Sequence, residues 1–128
     1  MLTGKTGEST MLELNTEDHA KAVSAIEALI HSYEENPASW IRGSNFKYER
    51  DTAKIIGYCV NGGIIYFLRN KNSEFPAGCQ RYLVSHLDKM AGTFGIVNYN
   101  DDSKRTLPEV LTVLKATLAT IKTNPQTP

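Results

Sequence analysis

Little in this 128-residue chain points to a specialised class, and each scarcity excludes something. It has two cysteines, Cys59 and Cys79, too few for a disulfide scaffold and without the paired spacing of a zinc site. Charge of either sign is not in excess, because 14 Lys and Arg balance 14 Asp and Glu. A nucleic-acid coat or a polybasic membrane binder needs a large positive field, which this chain lacks. The longest aliphatic and aromatic run, Ile64 to Leu68, is far shorter than the roughly 20 residues that span a bilayer. No basic–apolar–small signal pattern opens the chain and no membrane association is expected, while the sparse cysteine usage makes a reducing cytoplasm the expected location. HExxH, EF-hand, GxSxG and GxGxxG patterns are all missing, so neither a metal nor any other cofactor is expected. Gly4-Lys5-Thr6 imitates the end of a phosphate-binding loop, but only three residues precede it and no strand can feed it. What is present is 41% apolar residues, enough for one domain to build a core without metals or staples.

Periodicity then predicts an α+β, mostly helical single domain over residues 15–122, with about four helices and a small antiparallel hairpin or meander near residues 40–58. Residues 1–14, small and polar, read as a flexible arm, and 123–128, with two prolines, as a frayed tail. Asn15 and Thr16 start the first helix, with Glu17 and Asp18 in its first turn. Ala22, Val23, Ile26, Leu29, Ile30 and Tyr33 form its apolar face, and Pro37 stops it. Trp40 and Ile41, then Phe46 and Tyr48, then Ile55, Ile56 and Tyr58 read as short strands. Residues 59–70 support two readings. Asn61-Gly62 between apolar flanks signals a hairpin, whereas the continuous run ending in Arg69-Asn70-Lys71 suits a helix. A further helix is expected over about Ala77 to Ala91, with Cys79, Leu83, His86, Leu87 and Met90 on one face and Gly92 as its stop. Phe94 to Tyr99 reads as an extended segment. The last helix opens with a Thr106/Glu109 capping box and Pro108, and Val110, Leu111, Leu114, Leu118 and Ile121 form its stripe.

Several residue groups could carry chemistry. Cys79 lies on an apolar stripe and reads as core. If Cys59 begins a helix, the dipole would lower its thiol pKa, and a Cys59–His86–Asp101 arrangement would then be a nucleophile, base and orienter. Such a triad needs three separate elements to converge. Trp40, Arg42, Phe46, Lys47, Tyr48, Arg50 and Lys54 interleave aromatic and basic side chains, as single-strand and nucleotide binders do, but Glu49 and Asp51 interrupt them. Nucleic acid is therefore not the favoured partner. His19 and His31 read as solvated. Asn100, Asp101, Asp102 and Ser103 precede the last helix and suit turn and cap hydrogen bonds.

Trp40-Ile41-Arg42-Gly43, Cys59-Val60-Asn61-Gly62-Gly63-Ile64, Tyr99-Asn100-Asp101 and Thr106-Leu107-Pro108-Glu109-Val110-Leu111 occur in order over about residues 20–120. In this the chain resembles an uncharacterised family of bacteria, especially actinobacteria, and their phages. Members of that family carry G-W-x-x-G, C-x-x-G-A-[IL], W-N-D and T-x-x-E-V-L signatures. This chain lacks the leading glycine, has Gly63 in place of alanine and has Tyr99 in place of tryptophan. The resemblance implies that Cys59 to Arg69 is a helix, with Gly62 and Gly63 admitting a neighbouring backbone. It singles out Cys59, Asn100 and Asp101 but supplies no reaction.

The leading expectation is a non-catalytic binding or interaction protein, a phage or mobile-element accessory factor that contacts a host protein or sequesters a small ligand. Its candidate binding residues are Trp40, Arg42, Tyr48, Arg50, Asn100 and Asp101, and an oligomer is compatible with it. The alternatives are a cysteine-dependent hydrolase or transferase and a nucleotide or single-strand binder.

Overall fold

Helix α1 (Thr16–Glu35) starts where the cap residues place it. The Asn15 side chain accepts the Asp18 N–H at 2.8 Å, and Glu17 and Asp18 complement the positive end of the dipole. The computed structural model describes residues 14–92 and 94–123. The expected arm over 1–14 and tail over 123–128 therefore lie outside the described residues except for Leu14, which packs against the core, and Thr123, which closes the last helix. Ala22, Ala25, Ile26, Leu29, Ile30 and Tyr33 bury the inward face of α1, while Val23 sits half-buried at its margin. Pro37 cannot extend the helix and instead opens a 3-10 turn, Pro37–Ser39.

Strands β1 (Phe46–Tyr48) and β2 (Ile55–Tyr58) form an antiparallel hairpin in which Phe46 faces Tyr58 and Tyr48 faces Ile55, with a bulge between Lys47 and Tyr48. Trp40-Ile41, expected as another short strand, contributes only an isolated parallel bridge from Trp40 to Tyr58. Residues 59–70 are helical: α2 (Val60–Asn70) follows β2 directly, with Cys59 as its cap.

Helix α3 (Ala77–Ala91) buries Cys79, Tyr82, Leu83, His86 and Leu87. Met90 belongs to the same stripe by spacing, yet it is 39% exposed. The segment expected to be extended is a helix, α4 (Gly95–Asp101). Its local sequence is β-branched and has no N-cap of its own. The cap comes from α3, where Asp88 Oδ1 accepts the Ile96 N–H at 2.7 Å, and Gly92 and Gly95 turn the chain at φ 101° and 79°. Helix α5 (Leu107–Lys122) carries the expected capping box, Thr106 and Glu109 each bonding the other's backbone N–H. Val110, Val113, Leu114, Thr117 and Ile121 are buried, and Leu111 and Leu118 are half-buried beside them.

Among the described residues the fold is a small, mostly helical α+β arrangement of five helices and one antiparallel hairpin, against about four helices expected. Helix α1 lies at its centre, packed on α2, α3 and α5. Among the described residues no helix is long and apolar enough to cross a membrane. One expectation is reversed in the core. His19 is 5% exposed, its Nε2 hydrogen-bonds the Ile121 carbonyl at 2.6 Å, and its ring meets Tyr82 edge-on. The last turn of α5 lies over the first turn of α1, a contact 102 residues apart that helical periodicity cannot register. His31 is exposed, as its polar face requires.

The Thr117 hydroxyl is fully buried without a hydrogen-bond partner among the described residues. An isosteric Val removes that desolvation cost, so Thr117→Val is expected to stabilise the fold by about 1 kcal/mol. Urea denaturation reads the change as a raised midpoint at unchanged slope.

Candidate functional site

Asn100, near the C-terminal end of α4, is 1% exposed and uses its whole side-chain amide. Oδ1 accepts Trp40 Nε1–H at 2.9 Å and the Val60 N–H at 3.2 Å. Nδ2 donates to the Ile41 carbonyl and to Asp101 Oδ1, both at 3.0 Å. Two donors and two acceptor positions are thereby filled, and the network itself sets the amide orientation. Three chain segments far apart in sequence meet on this one residue: the loop after the 3-10 turn, the start of α2 and the end of α4.

The neighbours extend the brace. Asp101 Oδ1 also accepts the Gly43 N–H at 3.0 Å. Arg42 lies over the Trp40 ring at 4.8 Å and donates from Nη2 to the Arg105 carbonyl at 2.7 Å. The Arg105 guanidinium stacks 3.5 Å from the Tyr99 ring centroid and donates from Nε to the Tyr99 carbonyl at 3.0 Å. It also faces Asp102 at 3.8 Å and Glu109 at 3.7 Å. Arg42 and Arg105 are therefore occupied as structural cations.

Cys59 sits beside this junction as the α2 cap. Its Sγ accepts the Gly62 N–H at 3.4 Å and donates to Asn45 Oδ1 at 3.5 Å. The Asn45 backbone carbonyl in turn accepts the Cys59 N–H at 3.2 Å. Gly62 permits this approach, since a Cβ there would lie 2.0 Å from the Asn45 carbonyl oxygen. The implied close backbone approach is met at Gly62. At Gly63 the neighbours are the Leu29 and Tyr58 side chains instead, with Leu29 Cδ1 2.4 Å from an ideal Cβ. The thiol is 4% exposed. Burial pushes its pKa up; the Gly62 and Asn61 N–H groups pull the other way, and the Asp101 carboxylate adds to the rise. The helix start alone would lower the thiol pKa, but desolvation outweighs it. Cys79, also buried, has its thiol pushed up to about 11 by desolvation and by Asp18.

The other candidates fall in different places. His86 lies on the buried face of α3, its ring 4.7 Å from that of Tyr82, and burial together with Lys89 lowers its pKa. The hydrogen bonds of the Cys59 thiol go to Asn45 and Gly62, and those of Asp101 Oδ1 to Gly43 and Asn100. His86 is in neither set. Tyr48, 55% exposed on β1, packs on Phe46, and Arg50 is exposed in the hairpin turn. Of the six candidate binding residues, the junction unites Trp40, Arg42, Asn100 and Asp101. Sequence reasoning passed over Asn45 and the Ile41 carbonyl. The Gly62-Gly63 pair signals that something must come close, but not what. Among the described residues no group of three or more His, Cys, Asp or Glu could hold a metal ion. Surface depressions among the described residues include four of about 170 to 350 Å³ whose walls do not contain Cys59, His86 or Asp101.

The chain matches no protein-family model, no curated protein and no solved structure.

Two expectations follow from this geometry. Asn100→Ala strands Trp40 Nε1, the Val60 N–H and the Ile41 carbonyl together, and should lower stability by about 3 kcal/mol or more in urea denaturation. His86 has a lowered folded pKa, so on acidification the unfolded chain takes up the proton first. Its contribution is complete above about pH 6.5 and is lost as pH falls through the folded value. The urea midpoint should thus fall between about pH 7 and pH 5, and less steeply in His86→Gln. Glu109, held low chiefly by the Thr106 N–H, adds its own loss only in the more acidic carboxylate range.

Proposed function

We propose that this chain works by binding rather than by turnover. It is a small accessory protein of the bacterial or phage kind its motifs resemble, and in the cytoplasm of a bacterial or infected cell it contacts a host protein or sequesters a small ligand. The observation that carries this reading is the state of Cys59. A catalytic thiol must be reachable by substrate and ionised near neutral pH. Here the sulfur is 4% exposed, engaged on both sides and pushed up in pKa. Asn100 and Asp101 are spent in the same way on chain segments rather than left facing a cleft. The four stretches that carry the family resemblance also lie around this junction, which supports reading them as a shared scaffold.

The nucleotide or single-strand alternative has less support, since Trp40 bonds Asn100 and is covered by Arg42, and the chain has no net charge.

Alkylation kinetics test the proposal. Iodoacetamide near pH 7.5, with Cys59→Ser and Cys79→Ser variants to assign each site, should label Cys59 in the folded protein about 10-fold or more slowly than free cysteine. Serine keeps a side-chain oxygen for the cap, so the Cys59→Ser chain should remain folded. Labelling of Cys59 faster than free cysteine would replace binding with the cysteine-enzyme reading.

A further inference from the structure

A recess away from the Asn100 junction holds hydrogen-bond donors that the chain does not use. It lies between the C-terminal end of α1 and strand β2, has a volume of about 250 Å³, and its walls include Ser32, Lys54, Ile55, Ile56, Tyr58 and Tyr66. Tyr58 is only 6% exposed, and its ring is held by stacking on Tyr66 at 5.3 Å and by contact with Tyr33 at 5.9 Å. Its hydroxyl meets that of Ser32 in a hydrogen bond. This pair carries two O–H protons, and only one can lie between the two oxygens. The other finds no acceptor among the described residues.

Lys54 brings further free donors. In the turn before it, the Glu49 N–H donates to the Lys54 carbonyl at 2.6 Å and the Ala53 N–H to the Glu49 carbonyl at 3.0 Å. Ala53 closes this turn at φ 58°, a left-handed conformation that a Cβ disfavours, so the approach to Lys54 is held against local preference. The Lys54 ammonium forms no ion pair among the described residues, and no wall of the recess is acidic. Two carbonyls nearby that could answer the ammonium are already taken. That of Ser32 accepts the Asn36 N–H, and that of Asn36 accepts both the N–H and the hydroxyl of Ser39. Proton donors are therefore in excess on the polar side. The remaining wall is apolar: Tyr66 and Ile55 are half-buried and Ile56 is exposed.

We propose that this recess binds a small ring carboxylate. Its oxygens accept from the Lys54 ammonium and the Ser32–Tyr58 hydroxyl pair, and its ring lies against Ile56 and Tyr66. A carboxylate answers a surplus of donors with charge-assisted hydrogen bonds, and a flat apolar ring answers the remaining wall. The volume falls below the roughly 300–1,000 Å³ of pockets for drug-sized ligands, which limits the ligand to about one substituted ring. The proposal rests on the binding reading and names the ligand class for its small-molecule form, but Cys59 takes no part in it.

Benzoate is the probe, titrated to about 10 mM near neutral pH into isotope-labelled protein and followed by amide chemical shifts. Saturable shifts should centre on Ser39, Ile55 and Ile56, with a Kd of about 1 mM or tighter. Benzamide, which keeps the ring without the charge, should bind about 5-fold or more weakly. Lys54→Met, a change at an exposed position that keeps an apolar stem, should weaken benzoate about 5-fold or more and leave benzamide within about twofold. The double variant Ser32→Ala/Tyr58→Phe removes both hydroxyls, keeps the Tyr66 stack and should weaken benzoate about threefold or more. An absence of saturable shifts up to about 10 mM benzoate overturns the proposal. So does benzoate binding that Lys54→Met leaves unchanged, or that benzamide or inorganic phosphate equals. None of these results touches the binding reading, which stands or falls on the alkylation of Cys59.

Discussion

The buried amide of Asn100 is the constraint on which the loop between the 3-10 turn and the hairpin depends. Loop 40–45 has little secondary structure of its own, and buried backbone groups in such a segment must find partners or carry a desolvation cost. Asn100 supplies them. One oxygen holds the Trp40 indole and the first N–H of α2, and one nitrogen holds the Ile41 carbonyl. Four bonds at about 1 kcal/mol net apiece are modest, but the groups they satisfy would be costly unpaired. The residue therefore acts mainly by preventing a penalty. It also joins α4 to the start of α2.

Around this centre the polar residues form a graded set of braces. Asp101 secures Gly43, Cys59 secures Asn45 and the α2 start, and Arg105 ties the α4–α5 turn to Tyr99 and through its carbonyl to Arg42. Gly62 is the steric condition for the set, because any side chain there would drive the Asn45 carbonyl away. Gly63 is a softer case. A methyl group would lie 2.4 Å from Leu29 Cδ1 and 3.1 Å from the Tyr58 ring, so the far end of the buried Leu29 side chain, rather than a backbone, would have to move. Chemistry-bearing residue types are thus gathered in one place, yet their polar atoms are turned on one another.

The helical core follows a simpler logic. Helix α1 buries a stripe against three other helices, and His19 closes the circuit by tying its first turn to the last turn of α5. Surface ion pairs, Lys115 with Glu34 and Lys122 with Glu27, run along the same α1–α5 seam, but being half-exposed they add little energy and serve mainly orientation.

Local chemistry by itself determined the long helices of this protein. Caps, dipole-matched charges and i, i+3, i+4 spacing act within a few residues of one another, so α1, α3 and α5 and their buried stripes are legible from residue order, as is the hairpin. Residues 59–70 were ambiguous at that range, and only the family resemblance favoured a helix there. What tertiary structure alone decided are the features whose partners lie far along the chain. Helix α4 borrows its cap from Asp88, His19 is buried by α5, Met90 is left uncovered, and Cys59 is a sealed cap with a raised pKa. The physical reason is the same in each case. A side chain's type limits the bonds it can make, but burial and the arrival of a distant partner decide which of them it does make.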